Sequence, residues 1–176
     1  MEILSLTNKQ IINIKKLKNQ LEKHLGITLK IKDDFVEILC EEEDAVEEYN
    51  ISRVMKAINL GFGIETALLL KDAGYMLELI NLKDYARASR LREVKARIIG
   101  TKGKVLKTLS TLSNCVIKLS DNTVAIIGRA EGIKYIEKAL KSLIRGSRHS
   151  KVYYSLEKKP LYQDEVYLEE LDKKRE

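Results

Sequence analysis

The sequence predicts an α+β protein made of two copies of one unit, and two observations support this. The first is the order of patterns in the second half of the chain. An amphipathic helix begins at Lys104, and a strand, a turn at Ser120-Asp121-Asn122, a second strand over 123–127 and a further amphipathic helix follow it. The second observation is an ungapped internal repeat at a spacing of 88 residues. It aligns Leu109 with Leu21, Asn114 with Gly26, Ile117 with Leu29, Lys118 with Lys30, Val124 with Val36 and Ile126 with Ile38.

The first copy supplies the same elements earlier in the chain. Its predicted elements are a helix over 9–25, strands over 27–31 and 36–40 joined by a turn at Asp33-Asp34, and a helix from about 45 to 60. Gly61-Phe62-Gly63 is typical of a helix stop, and a short connecting helix is expected over 64–70. The second copy then begins with a strand over 75–82 and a short basic helix over 87–95.

The stretch Gly100-Thr101-Lys102-Gly103 separates this basic helix from the helix that begins at Lys104. Glycine permits tight turns and a close approach of the backbone to a ligand. A helix that starts directly after such a turn presents free N–H groups and the positive end of its dipole to an anion. KH domains clamp nucleic-acid backbone with a Gly-x-x-Gly loop, and the elements after this loop follow the KH order. We therefore expect two tandem type I KH domains (βααββα), the first one degenerate, packed into one compact unit.

The two copies differ at the position of the loop. The first copy has Ile12-Asn13-Ile14-Lys15 there, and its branched residues resist a tight turn. Residues 1–84 carry 11 basic and 15 acidic side chains, whereas residues 85–156 carry 16 basic and 4 acidic ones. We expect residues 1–73 to form a KH domain without a clamp, used for scaffolding and protein contact, and residues 74–156 to bind RNA. Residues 157–176 are a charged tail, either disordered or a short helix that orders against a partner.

Composition excludes several other classes of protein. The chain of 176 residues is 44% hydrophobic and 33% charged, with a net charge of +6. No stretch approaches the ~18 apolar residues of a membrane span, and the N-terminus lacks the pattern of a signal peptide, so a cytoplasmic protein is expected. Cys40 and Cys115 each fall in a stretch that is predicted as a strand, which favours core thiols over a disulfide framework or a zinc site. No cofactor is expected.

The Gly-x-x-Gly loop and its flanks supply the predicted RNA-binding residues. Backbone N–H groups of the loop and the Lys102 side chain are expected to hold consecutive phosphates. About four unpaired bases are expected to lie in a groove walled by Ile98, Ile99, Val105 and Ile117. The full predicted set is Arg97, Ile98, Ile99, Gly100, Thr101, Lys102, Gly103, Lys104, Val105, Lys107, Ile117, Lys118 and Arg148.

Three other features of the sequence bear on function. The acidic run Glu41-Glu42-Glu43-Asp44 is interpreted as a solvated turn at a helix N-terminus rather than a metal cluster. After Arg145, the residues Arg148, His149 and Lys151 extend the basic surface, and Tyr153 or Tyr154 either stacks on a base or packs in the core. The two histidines have no catalytic partner that the sequence reveals, so no enzymatic activity is expected.

Three stretches together resemble the partner-of-NOB proteins of archaea and eukaryotes, also called Dim-two-like. They are Lys56-Ala-Ile-Asn-Leu-Gly-Phe-Gly-Ile-Glu-Thr-Ala-Leu68, Ser89-Arg-Leu-Arg-Glu-Val-Lys-Ala-Arg-Ile-Ile-Gly-Thr-Lys-Gly-Lys104 and Ile144-Arg-Gly-Ser-Arg-His-Ser-Lys-Val-Tyr153. The pair Thr101-Lys102 departs from many relatives, which carry Lys-Gly or similar there, but a basic residue remains. The chain lacks the long N-terminal extension of eukaryotic members, which indicates an archaeal type.

The resemblance implies a single-stranded RNA-binding protein of small ribosomal subunit biogenesis. It implies that the second KH copy binds the 3′ end region of small-subunit rRNA and assists its maturation by a NOB-type endonuclease. A dimethyladenosine methyltransferase or a translation initiation factor subunit is a further implied partner. The alternative is a protein-interaction adaptor that links a processing nuclease or translation factor to RNA, with RNA binding secondary.

Overall fold

The computed structural model describes residues 2–5, 8–32, 35–40 and 45–158. The chain divides into two compact units between Ala73 and Gly74, called here the first and the second unit. The turn predicted at Asp33-Asp34, the acidic run 41–44 and residues 159–176 of the tail lie outside the described residues. Within the described ranges, no helix has the length and apolar character needed to cross a membrane.

The first unit contains one three-stranded antiparallel sheet with the order β1-β3-β2. Its elements are β1 (Glu2–Ser5), α1 (Asn8–Leu25), β2 (Ile27–Ile31), β3 (Phe35–Cys40), α2 (Ala45–Asn59) and α3 (Ile64–Leu68), which a 3₁₀ turn (Leu69–Lys71) follows. This degenerate copy departs from the general βααββα order in its first helical part, where the single helix predicted over 9–25 is confirmed as α1. Its continuous course through residues 12–15 fits the absence of glycine there.

The second unit has a sheet of the same kind, with the order β4-β6-β5. Its elements are β4 (Tyr75–Asn81), α4 (Leu91–Ile99), α5 (Lys104–Ser113), β5 (Val116–Ser120), β6 (Thr123–Arg129), α6 (Ala130–Ile144) and α7 (His149–Glu157), with 3₁₀ turns over Leu82–Asp84, Ala88–Arg90 and Thr101–Gly103. The βααββα order is confirmed here. The basic helix predicted over 87–95 is displaced, since α4 begins at Leu91 and continues to Ile99, and α7 was not predicted.

The internal repeat extends to strand register and backbone conformation. Leu29 pairs with Ile38 across β2 and β3, and Ile117 pairs with Ile126 at the equivalent place in β5 and β6. All four side chains are buried. The residues that end α1 and α5, Gly26 and Asn114, both have left-handed backbone, with φ of 62° and 49°. Glycine and asparagine are the residues that adopt this conformation most readily, so the aligned positions share a physical role.

The core of the second unit lies between its helices and one face of its sheet. The Cys115 thiol is buried in it, which confirms a core thiol, although the residue lies just before β5 and not in a strand. Burial raises the pKa of this thiol to about 12, so it stays protonated at neutral pH. A Cβ at Gly128 or Gly132 would overlap the Cys115 sulfur, so these glycines let β6 and α6 approach that side chain.

Candidate nucleic-acid interface

The Gly-x-x-Gly loop connects the end of α4 to the start of α5 with few internal bonds. Gly100 N–H donates to Ala96 O over 2.8 Å, and Gly103 N–H donates to Gly100 O over 3.2 Å. Lys102 and Gly103 both have left-handed backbone, with φ of 53° and 75°. The next residue, Lys104, donates its N–H to Thr101 O as α5 begins. The loop therefore leads from one helix into the next within four residues.

The two glycines are required for different reasons. A Cβ at Gly100 would overlap the side chain of Val105 in the first turn of α5, and the backbone φ is +72°. A Cβ at Gly103 would meet no atom within 4 Å, so only its φ of +75° favours glycine there. Gly100 thus permits close packing between the loop and α5, and Gly103 permits the final turn into the helix.

The start of α5 offers a favourable position for an anion. Its N-cap residue, Gly103, has no side chain to bond the amides of the first turn, and no acidic residue lies in that turn. Such amides have no partner within the helix, and the helix dipole adds positive potential. The side chains of Thr101, Lys102, Lys104 and Lys107 are exposed around them. Loop, helix terminus and lysines therefore present a concentrated positive surface.

The predicted groove wall is wrong at two of its four positions. Ile98 and Ile117 are 0% and 3% exposed and belong to the core of the second unit. Val94 and Ile98 are one helical turn apart and both face inward, which directs the neighbouring Ile99 outward, where it is 38% exposed. Val105 is half-buried at the start of α5. Only Ile99 and Val105 of the four are accessible beside the loop.

The other predicted RNA-binding residues occupy different environments. Arg148, the N-cap residue of α7, is exposed, and Lys118 is half-buried on β5. Side chains alternate between the two faces of a strand, so Lys118 faces away from the core that Ile117 enters. Lys118 is thus separated from the helical side of the sheet, where the loop lies.

Arg97 is bonded within the protein, in contrast to its predicted role as a source of positive field for RNA. Its side chain is half-buried at the last turn of α4. Nε donates to Leu143 O over 3.3 Å and Nη2 donates to Ser147 O over 2.6 Å. These carbonyls belong to the end of α6 and the turn before α7, places where a cation is favoured. The long-range contact could not be deduced from sequence spacing.

The residues of α7 fall into two groups. His149 Nε2 lies 3.0 Å from Arg97 O, and Tyr153 is half-buried against the core. Burial raises the pKa of the Tyr153 phenol, and a hydrogen bond with the Thr108 side chain partly opposes this. Tyr154 is 58% exposed, with the Lys158 ammonium 4.3 Å from its ring centroid. The core-packed alternative therefore describes Tyr153, whereas Tyr154 is accessible.

No metal site supports a competing interpretation in the part of the chain that the structure describes. No group of three or more His, Cys, Asp or Glu side chains is arranged to hold an ion there. A cavity of about 180 Å³ lies between α6 and α7 and is lined by residues of both helices, including Lys138, Ser142 and Lys151. The exposed positive residues at the start of α5 remain the arrangement best suited to a polyanion.

The second unit has the defining features of a type I KH domain. These are the βααββα order, the three-stranded antiparallel sheet and the Gly-x-x-Gly loop between the first two helices. A family model described as the second KH domain of PNO1, a eukaryotic-type (type I) KH domain, matches residues 76–160. Fold, loop and family model agree on the class of this unit.

The chain is similar to several named proteins. It is 33% identical over 146 residues to the KH domain-containing protein MJ0443 of Methanocaldococcus jannaschii, covering 81% of this chain and 64% of that protein. It is 28% identical to RNA-binding protein PNO1 of Oryzias latipes (76% and 56% covered). It is 33% identical to pre-rRNA-processing protein pno1 of Emericella nidulans (59% and 42% covered). The chain thus spans less than two thirds of the length of these relatives.

Two solved structures from Pyrococcus horikoshii OT3 share the fold. Dim2p has a TM-score of 0.77 and 31% identity, with 90% of this chain and 98% of that chain covered. A chain of the a/eIF2alpha-aDim2p-rRNA complex has a TM-score of 0.78 and 31% identity, with 89% of this chain and 91% of that chain covered. The chain belongs to the family of KH-domain proteins that includes PNO1 and Dim2p.

Proposed function

We propose that this protein binds single-stranded RNA through the second unit. The observation that carries the proposal is the Gly-x-x-Gly loop at the start of α5, surrounded by the exposed side chains of Lys102, Lys104 and Lys107. Residues 85–156 have 16 basic and 4 acidic side chains, so this loop lies in the positive part of the chain. A single strand suits such a site, because KH domains clamp about four nucleotides of backbone at this loop.

In the proposed mechanism, the loop holds the backbone and leaves the bases free to be recognised. Amides at the start of α5 and the Lys102 side chain bind consecutive phosphates. Lys104 and Lys107, one turn apart on α5, add positive potential along the same strand. Ile99 and Val105 offer apolar surface beside the loop to the bases. We assign the protein no chemical step.

The proposed cellular role is in small ribosomal subunit biogenesis, with the 3′ end region of small-subunit rRNA as the target. Two relatives support it by name: the Emericella nidulans protein is a pre-rRNA-processing protein, and Pyrococcus horikoshii aDim2p was crystallised with rRNA. In this proposal a separate NOB-type endonuclease cuts the RNA, and this protein presents the substrate. A dimethyladenosine methyltransferase is a further proposed partner.

The test is to measure binding to a short single-stranded RNA that matches the 3′ end of small-subunit rRNA, with a scrambled RNA as the control. We expect selective binding that Thr101→Asp with Lys102→Asp abolishes, because two carboxylates would repel the phosphates. Affinity should also fall with salt, by a slope of about 0.7 per phosphate neutralised. Fluorescence anisotropy across a salt series measures both quantities.

The first unit provides a matched control for this variant. Thr28→Asp with Lys30→Asp makes the same two kinds of substitution on exposed positions of β2, and it should leave RNA affinity within about twofold. Equal loss in both variants would show a general charge effect and contradict a clamp in the second unit. Absence of binding by the unaltered protein would reject the proposed function.

A second candidate function is an adaptor between proteins and RNA. It is favoured by the complex that contains a/eIF2alpha together with aDim2p and rRNA, and by the continuous helix that replaces the clamp in the first unit. A translation initiation factor subunit is the proposed partner of that kind. The variant with Thr101→Asp and Lys102→Asp distinguishes the two: an adaptor keeps its place on pre-rRNA complexes, whereas an RNA reader loses it.

A further inference from the structure

Helix α7 lies beyond the βααββα elements of the KH domain, yet it contacts both helices that flank the loop. Towards α4, His149 Nε2 lies 3.0 Å from Arg97 O. A carbonyl only accepts hydrogen bonds, so this nitrogen carries a proton and donates it. Towards α5, the Tyr153 phenol is hydrogen-bonded with the Thr108 side chain. The two contacts come from positions one helical turn apart on α7.

Arg97 is bonded both through its side chain and through its backbone carbonyl. Its guanidinium donates to Leu143 O and Ser147 O, and its own carbonyl accepts from His149. Gly100 lies three positions after Arg97, so these bonds fix the last turn of α4 directly before the loop. The loop is bonded to both of its flanks, since Gly100 N–H donates to Ala96 O of α4 and Lys104 N–H of α5 donates to Thr101 O. Its position therefore depends strongly on its two ends.

The core in turn fixes α7. Val152 and Leu156, one turn apart, are 4% and 3% exposed and belong to the core of the second unit. Tyr153 packs against the same core from the neighbouring position. The helix is therefore anchored on one side, and His149 and Tyr153 extend from it towards α4 and α5.

We infer that α7 is a brace that sets the spacing of the two helix ends around the Gly-x-x-Gly loop, and that Arg97 and His149 are positioning residues for RNA binding. This inference rests on the proposed function of the second unit. Both residues would act by holding the end of α4, so that the amides of the loop and of α5 converge on the phosphates. Neither residue would contact RNA.

The salt dependence of RNA binding separates a positioning role from a phosphate contact. Arg97→Met removes the guanidinium, and Arg97→Lys keeps the charge but cannot bond two carbonyls as a planar fork does. We expect both variants to weaken RNA binding about tenfold, the size expected for lost charge-assisted bonds. The salt slope should be unchanged in both, whereas Lys102→Met should reduce it by about 0.7.

Variants of α7 complete the comparison. His149→Ala should weaken binding about threefold to tenfold with no change in slope, since it removes one bond to the brace. His149→Gln should restore most of the affinity because its side-chain amide can donate to Arg97 O. Ser155→Ala, at an exposed position of the same helix that has no assigned role in binding, should have no effect. Full RNA affinity in Arg97→Lys would overturn the inference. So would a salt slope that falls in Arg97→Met by as much as it falls in Lys102→Met.

Amide hydrogen exchange without RNA tests the brace independently of the proposed function. Arg97→Met and His149→Ala should speed exchange across residues 98–103 at least several-fold, while amides in β6 keep their protection, which shows that the domain remains folded. Unchanged exchange at the loop would overturn the inference even if RNA binding were established. Failure of the unaltered protein to bind RNA would reject the proposed function, and the exchange result would still decide the role of α7.

Discussion

The two glycines of the loop differ in the substitution that each can tolerate. Gly103→Ala should lower the free energy of unfolding of the second unit by about 1–2 kcal/mol, the cost of a Cβ in left-handed backbone. Gly100→Ala should cost about 1–3 kcal/mol more, because the added Cβ also overlaps Val105. Urea titrations followed by amide signals of β6 measure both values. Equal costs would contradict the close packing of the loop on α5.

Three consecutive residues show how far side-chain orientation could be predicted from sequence. Ile98 is buried and Ile99 is accessible, a difference that helical periodicity with Val94 explains. It was missed because the helix was expected to end at residue 95, which placed both isoleucines in a loop. The bonds of Arg97 to Leu143 O and Ser147 O were beyond any local pattern, since 46 and 50 residues separate the partners.

At the scale of elements, α1 differs from the pair α4 and α5 in having no interruption. Ile12→Gly with Lys15→Gly would place a Gly-x-x-Gly sequence in it at two exposed positions, while the neighbouring Ile14 stays buried. We expect the first unit to lose about 1–2 kcal/mol of stability, because glycine is unfavourable in a helix interior. RNA affinity should not rise, since the sequence would still continue as one helix.

The control for this change is Ile12→Ala with Lys15→Ala, which shortens the same side chains without adding backbone freedom. The free energies of unfolding of the two variants, measured by urea unfolding of the first unit, should differ only by the cost of placing glycine in a helix. A gain in RNA affinity in the glycine variant would mean that the motif by itself makes a clamp. That result would contradict the role assigned here to the fold around the loop in the second unit.

The strands and long helices were predicted best, because their apolar periodicity extends over many residues. β5, β6 and α6 lie where the pattern indicated. α7 was missed because it has nine residues and only two buried apolar positions, Val152 and Leu156, which a short exposed helix or a loop would also show. The single helix of the first copy was assigned correctly over 9–25, whereas the general KH order βααββα has two helices at this place. Local pattern was the better guide there.

At the scale of the whole molecule, the excess of positive charge and the Gly-x-x-Gly loop lie in the same unit. Residues 1–84 have four more acidic than basic side chains, and residues 85–156 have twelve more basic than acidic ones. The family relationship covers both units, since Dim2p matches 90% of the chain. One RNA-binding unit and one unit without a clamp are therefore the expected division of roles.

This division predicts how affinity depends on the length of the RNA. One KH groove holds about four nucleotides, so affinity should level off soon after that length. Between about eight and 20 nucleotides it should gain only a few-fold, from the additional positions at which the clamp can bind. With two linked RNA-binding units, affinity would instead rise about 10²–10⁴-fold once the strand spans both units. Anisotropy titrations with 4-, 8-, 12- and 20-nucleotide RNAs separate these cases. A gain of a hundredfold or more beyond eight nucleotides, lost in the variant with Thr28→Asp and Lys30→Asp, would mean that the first unit also binds RNA without a Gly-x-x-Gly loop.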